Sequence, residues 1–203
     1  IMQLTARKQI RKLTIHSMFI AMIVIMGFVP FLGFLPIGAG VSITIIHMPV
    51  LLGAVLLSTR SSTLFGLTFG VVSLLVVLTN PTPLPTDLFF INPMISIFPR
   101  IIFGLFAGFI LTFAKRFEGP FQWLAISIGA FVSTVFHTVL VLSMLWIFES
   151  TAFVESFGNL FNLIWFILSL NGLLEALLAA FIIPVLYLTL NNIRSLRRFL
   201  NQD

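Results

Sequence analysis

Between Leu13 and Leu190 this chain is a succession of apolar runs, separated by short breaks of Gly, Pro, Ser or charge. The run Ile95–Ala114 holds a single charged residue, Arg100. A helix rises 1.5 Å per residue, so roughly 20 such residues cross the hydrocarbon core of a bilayer. A chain of 203 residues therefore has room for a handful of spans joined by short loops, and none for a separate catalytic or nucleotide-binding domain. Composition agrees, with 59% of residues hydrophobic and 8% charged. Soluble domains carry roughly a quarter of their residues as charges, and so much apolar surface rules out a disordered chain.

The breaks predict an all-α membrane protein with six transmembrane helices, as one integral membrane domain over residues 1–203. The expected spans are 13–28, 43–57, 63–78, 95–114, 121–148 and 162–190. A basic lead-in, Arg7 to Lys12, precedes the first span, which continues into further spans and so is expected to be a retained helix, not a cleaved signal. A Gly- and Pro-rich loop from Gly27 to Gly40 follows it, and the polar stretch Ser58–Ser62 opens the third span. NPTPLPTD, from Asn80 to Asp87, cannot continue a helix. A loop with Glu149 and Glu155 is expected before the sixth span. No inverted repeat is evident, which argues against a standard secondary carrier.

Six spans place both termini on one side. Of the 11 Lys and Arg residues, all but Arg100 fall on that side: Arg7, Lys8, Arg11, Lys12, Arg60, Lys115, Arg116, Arg194, Arg197 and Arg198. The basic residues mark the cytoplasmic face, so both termini are expected to be cytoplasmic. The net charge of +5 thus reports orientation and does not point to nucleic acid. The expectation is tested by impermeant labelling of single cysteines at Asn80 and Gln122 in intact cells. The Asn80 site should react and the Gln122 site should not, and the reverse pattern would invert the topology.

Ionisable groups inside a span are costly and usually face protein or a water-filled cavity. Arg100 lies about five residues into the fourth span from its outer end, roughly 8 Å deep. Positions four apart share a helix face, so Arg100 lies with Gly104 and Gly108, His137 with Gly129 and Ser133, and Glu175 with Asn171 and Ala179. Arg100, His137, Asn171 and Glu175 are placed to converge on one cavity open to the outside. Gly104 and Gly108 are expected to leave space beside the guanidinium, which matches a carboxylate as a bidentate fork. Asn92 and Asn171 are candidate polar contacts, and Phe90 and Trp165 candidate covers. The plainer alternatives are a structural Arg100–Glu175 ion pair and a His137 that only packs between helices. Ser17 and Ala21 on the first span, and Gly66 and Gly70 on the third, are small pairs that admit a close helix approach. Internal packing explains either pair as well as an outside partner does.

Several chemistries are missing from the sequence. There is no Cys, no HExxH and no His cluster, so no metal site or thiol chemistry is expected. No GxxxxGK[ST] phosphate loop and no GxSxG occur. No catalytic residue and no cofactor are expected.

The stretch GFLPIGAGVSITIIHMPVLLGAVLLSTRSSTLFGLTFGVVSLL, Gly33 to Leu75, together with FFINPMISIFPRIIFGLFAGFI, Phe89 to Ile110, resembles the substrate-binding S component of energy-coupling factor vitamin transporters. It is most similar to the pantothenate-type member. The resemblance implies an S-component-like six-helix bundle in the bacterial cell membrane, with an outward-facing site for a vitamin. It implies partners as well: a transmembrane coupling subunit (T component) and two cytoplasmic ATPases that power transport. The family's Ala-xxx-Ala docking motif on the first helix falls on Ser17 and Ala21, with serine in place of the first alanine. Pantothenate, a small carboxylate with an amide and hydroxyls, suits Arg100, Asn92, His137 and Asn171. Riboflavin is the alternative ligand, and a membrane assembly subunit without a ligand is the alternative of a different class.

Overall fold

A computed structural model describes residues 2–29, 32–38, 41–79, 89–157 and 172–192. In chain order the elements are α1 (Met2–Phe28), β1 (Phe34–Gly38), β2 (Val41–Thr44), α2 (Met48–Leu56), α3 (Thr59–Thr79), α4 (Pro93–Ser96), α5 (Phe98–Ala114), α6 (Pro120–Phe157) and α7 (Leu173–Asn191). Five stretches are long and apolar enough to cross a membrane: Gln9–Phe28, Thr59–Thr79, Pro93–Ala114, Pro120–Phe148 and Leu173–Asn191. With α2 they make an all-α bundle that carries one small hairpin. The Asn80–Asp87 loop, residues 162–171 of the expected sixth span and Arg194, Arg197 and Arg198 lie outside the described residues.

The second expected span, 43–57, takes a different form. Its start is β2, which pairs antiparallel with β1 (Phe34 opposite Thr44, Leu35 opposite Ile43). Its remainder is α2, nine residues and all of them buried. Nine residues rise about 14 Å, under half of a hydrocarbon core. Pro49 sits in the first turn, where its missing N–H costs nothing and its fixed φ suits a helix start. Apolar content alone does not separate strand from buried helix in so short a run.

Other boundaries move for local reasons. The basic lead-in is the first part of α1. The polar break before the third span joins α3, whose start is held by Ser58: its Oγ accepts from the Ser61 N–H at 3.4 Å and lies 3.0 Å from Ser61 Oγ. The fourth span is interrupted at Ile97, between α4 and α5, with Pro93 and Pro99 in their first turns. The segment with Glu149 and Glu155 is helical, not a loop, because α6 runs on to Phe157. Its 38 residues span about 57 Å, well beyond the bilayer core.

Lipid is as apolar as Leu, so burying Leu against Leu in a bundle gains little, and close packing decides which helices meet. The tightest pair is α3 on α5. A Cβ on Gly104 would sit 2.5 Å from the Ser62 carbonyl oxygen and 3.2 Å from Gly66 Cα. One on Gly70 would sit 2.8 Å from Ile97 Cα, and one on Gly108 2.7 Å from Thr59 Cα. A Cβ on Gly66 would run into the Arg100 carbonyl. The space beside Gly104 and Gly108 is thus filled by α3 backbone, which corrects the expectation that these glycines make room at the guanidinium. Around this crossing the core gathers Phe19 and Ile23 of α1, Leu51 and Val55 of α2, Phe65 and Phe69 of α3, Phe103 of α5, Ile126 of α6 and Ile183 of α7.

Candidate functional site

The α3–α5 crossing fixes Arg100 at the start of α5, where its backbone lies against Gly66. The side chain is 5% exposed. Its Cζ lies 5.5 Å from the centre of the Phe69 ring and 5.0 Å from that of Phe90, within the range of a cation over an aromatic face. Nη1 donates to the Ile95 carbonyl. Nε is buried and has no hydrogen-bond partner among the described residues. A carbonyl carries only partial charge, so this guanidinium keeps both a donor and a full positive charge for another group.

His137 comes to the same place from α6. Its ring centre is 5.7 Å from that of Phe69 and 4.7 Å from that of Phe103. It stacks on His47, with ring centres 6.2 Å apart and an interplanar angle of 23°. Neither ring nitrogen of His47, nor Nε2 of His137, has a hydrogen-bond partner among the described residues. His47 immediately precedes α2 and is fully buried. Its position follows from the hairpin. Glu175, in the first turn of α7, accepts the Thr44 N–H at 2.6 Å and so ties down the end of β2, three residues before His47.

The result is a buried cluster built from α2, α3, α5 and α6, walled by phenylalanine rings and supplied with polar atoms that lack partners. Buried polar groups are normally paired, since each unpaired one costs about 1–3 kcal/mol. A concentration of such groups beside a buried cation marks a place for a polar, anionic ligand.

Comparison with known proteins supplies the context. The family model described as ECF transporter, substrate-specific component matches residues 11–187. The chain belongs to this family. It is 34% identical over 99 residues to the pantothenate transporter PanT of Leuconostoc mesenteroides, a match covering 47% of this chain and 48% of that protein. It is 28% identical over 170 residues to the pantothenic acid transporter PanT of Lactococcus lactis subsp. cremoris, covering 73% of this chain and 80% of that one. The match thus spans about half the length of the first relative and most of the second. As a substrate-specific component of an ECF transporter, this is a multi-pass bacterial membrane protein from a transporter family, not an enzyme family.

In this S component the candidates from the sequence separate into groups. Arg100 and His137 are brought together across Phe69, with Phe90 covering the guanidinium. Asn92 caps α4 instead of facing the cluster with its oxygen: its Oδ1 accepts the Met94 N–H at 3.0 Å. Glu175 is a tether for β2, and Arg100 has its own partner in Ile95, so the ion-pair alternative loses its support. Asn171 and Trp165 lie outside the described residues. Ser17 and Ala21 lie on the exposed side of α1. That helix is the least covered of the five, with 17% of its apolar window buried against 33–50% for the others.

His47 is the member that sequence reasoning passed over. The signal was available. It is one of three histidines and falls inside an expected span, as His137 does. Glu175 and His47 are 128 positions apart, and their link through Thr44 is visible only in the folded chain.

Proposed function

We propose that this chain is the pantothenate-binding subunit of an ECF-type vitamin importer, with Arg100 as the carboxylate clamp. The observation that carries the reading is the buried Arg100 guanidinium, held under Phe69 and Phe90 with an unpartnered Nε. A carboxylate offers this group charge-assisted hydrogen bonds and neutralises it. The two relatives named as pantothenate or pantothenic acid transporters support the same ligand. Riboflavin brings a flat ring and no carboxylate, and so leaves the guanidinium unanswered. Detergent-purified protein is expected to bind radiolabelled pantothenate saturably, with excess riboflavin failing to compete. Competition by riboflavin would transfer the assignment to that ligand.

Transport in this reading is powered by partners, a transmembrane coupling subunit and two cytoplasmic ATPases, since the sequence has no phosphate loop. In liposomes the subunit alone should bind pantothenate without accumulating it; concentrative uptake by the lone subunit would show that it needs no partner.

The coupling subunit meets this one on α1. Ser17 and Ala21 form a small exposed pair on the least covered helix, where a second helix can approach closely. Ser17→Trp with Ala21→Trp should abolish uptake by the assembled transporter while pantothenate binding persists. Loss of binding in step with uptake would assign the pair to internal packing.

A further inference from the structure

Arg100 offers only donors, but the groups beside it do not. An imidazole with one proton presents one donor and one acceptor. His47 leaves both nitrogens unpartnered among the described residues, and His137 leaves Nε2. A plain carboxylate answers the guanidinium and leaves the imidazole acceptors unmet. A group that both donates and accepts, a hydroxyl, meets them. We propose that the stacked His47–His137 pair reads a ligand hydroxyl, so that the site selects hydroxylated carboxylic acids over the same acids without hydroxyls. This rests on the pantothenate reading above and deepens it by giving each end of the ligand a partner.

The placement supports the division of labour. The Arg100 Cζ and the His137 ring lie 5.5 and 5.7 Å from the centre of the same Phe69 ring, so they are no further apart than those two distances combined. That is the reach of a small organic acid, with its carboxylate at one end and its hydroxyls at the other. The phenylalanines do not compete for hydrogen bonds, and Phe103, 4.7 Å from His137 and 6.3 Å from His47, keeps the two imidazoles in place. The hairpin fixes His47 through the Glu175–Thr44 bond, so the pair is set before a ligand arrives.

The test compares pantothenate with its dideoxy analogue, which keeps the amide and the carboxylate, on the detergent-purified full chain. Wild-type protein should bind the analogue at least about tenfold more weakly, because a site built to bond a hydroxyl is left with unpaired groups by a ligand lacking it. His47→Phe keeps a ring for stacking. It should weaken pantothenate by about tenfold and the analogue by less than about twofold, the coupling that marks a direct contact. Equal weakening of both ligands, or none of either, overturns the proposal and leaves the pantothenate reading standing. Failure of wild-type protein to bind pantothenate at all overturns both.

Histidine imidazole nitrogen resonances of the isotope-labelled wild-type protein give a second measurement that needs no variant at the site. Addition of pantothenate should shift the signals of two of the three histidines, the unaffected one being identified with His16→Gln. A shift in fewer than two of the remaining histidines contradicts a paired contact.

Discussion

Gly104→Leu is expected to leave no monodisperse protein on size-exclusion chromatography in detergent. At this position even a methyl group would press on the Ser62 carbonyl oxygen at 2.5 Å, its carbon at 3.1 Å and Gly66 Cα at 3.2 Å. All three are backbone atoms of α3, so no rotamer change makes room. Either the two helices separate or the chain does not assemble. Overpacking in adaptable cores costs about 1–3 kcal/mol. Here the obstacle is a second helix axis, and the whole stability of a domain is only about 5–15 kcal/mol. Gly104→Ala should fold with a clearly lowered melting temperature and weaker pantothenate binding, because Arg100 sits one turn away on the same helix. Leu105→Ala, on the exposed side of α5, should melt close to wild type. A wild-type melt for Gly104→Leu would mean that α3 and α5 do not touch along this line.

The second large effect is on the ligand. Arg100→Ala should weaken pantothenate binding by at least about tenfold, equivalent to roughly 1.4 kcal/mol. The loss comprises the charge-assisted bonds to the carboxylate, each worth about 1.5–3 kcal/mol net. Arg100→Lys should recover it only in part. An ammonium lacks the planar fork and spreads less well over Phe69 and Phe90. Melting of the ligand-free variants separates binding from folding. Because Glu175 is engaged with the Thr44 N–H and not with Arg100, Arg100→Ala should leave the ligand-free protein folded. Unchanged pantothenate affinity in a folded Arg100→Ala protein would remove the clamp from the mechanism.

Much of this protein was legible from one dimension. Apolar runs of span length gave five of the helices, because a backbone in hydrocarbon must satisfy its own hydrogen bonds and an unbroken helix does so locally. Arg100 stood out for an equally local reason: a charge inside such a run is expensive wherever the helix ends up. The pairing of small residues at Gly66, Gly70, Gly104 and Gly108 was visible as spacing. Its use was not, because whether a glycine faces a ligand or another backbone depends on which helix lies beside it.

What only tertiary structure decided is the company each residue keeps. The run 43–57 reads as a span in sequence, yet half of it pairs with Phe34–Gly38 and the rest is too short to cross a bilayer. Strand pairing is a contact between segments, and no hydropathy value records it. Glu175 and Arg100 carry opposite charges and invite pairing on paper. In the fold the carboxylate accepts a hairpin amide, and the guanidinium lies between two phenylalanine rings. His47 became a site residue because Thr44, three positions before it, is held by a helix more than a hundred residues away. Helix formation is settled by each residue's neighbours in the chain and by the solvent around it. A binding site is settled by which side chains lose water together, and that choice belongs to the packed chain alone.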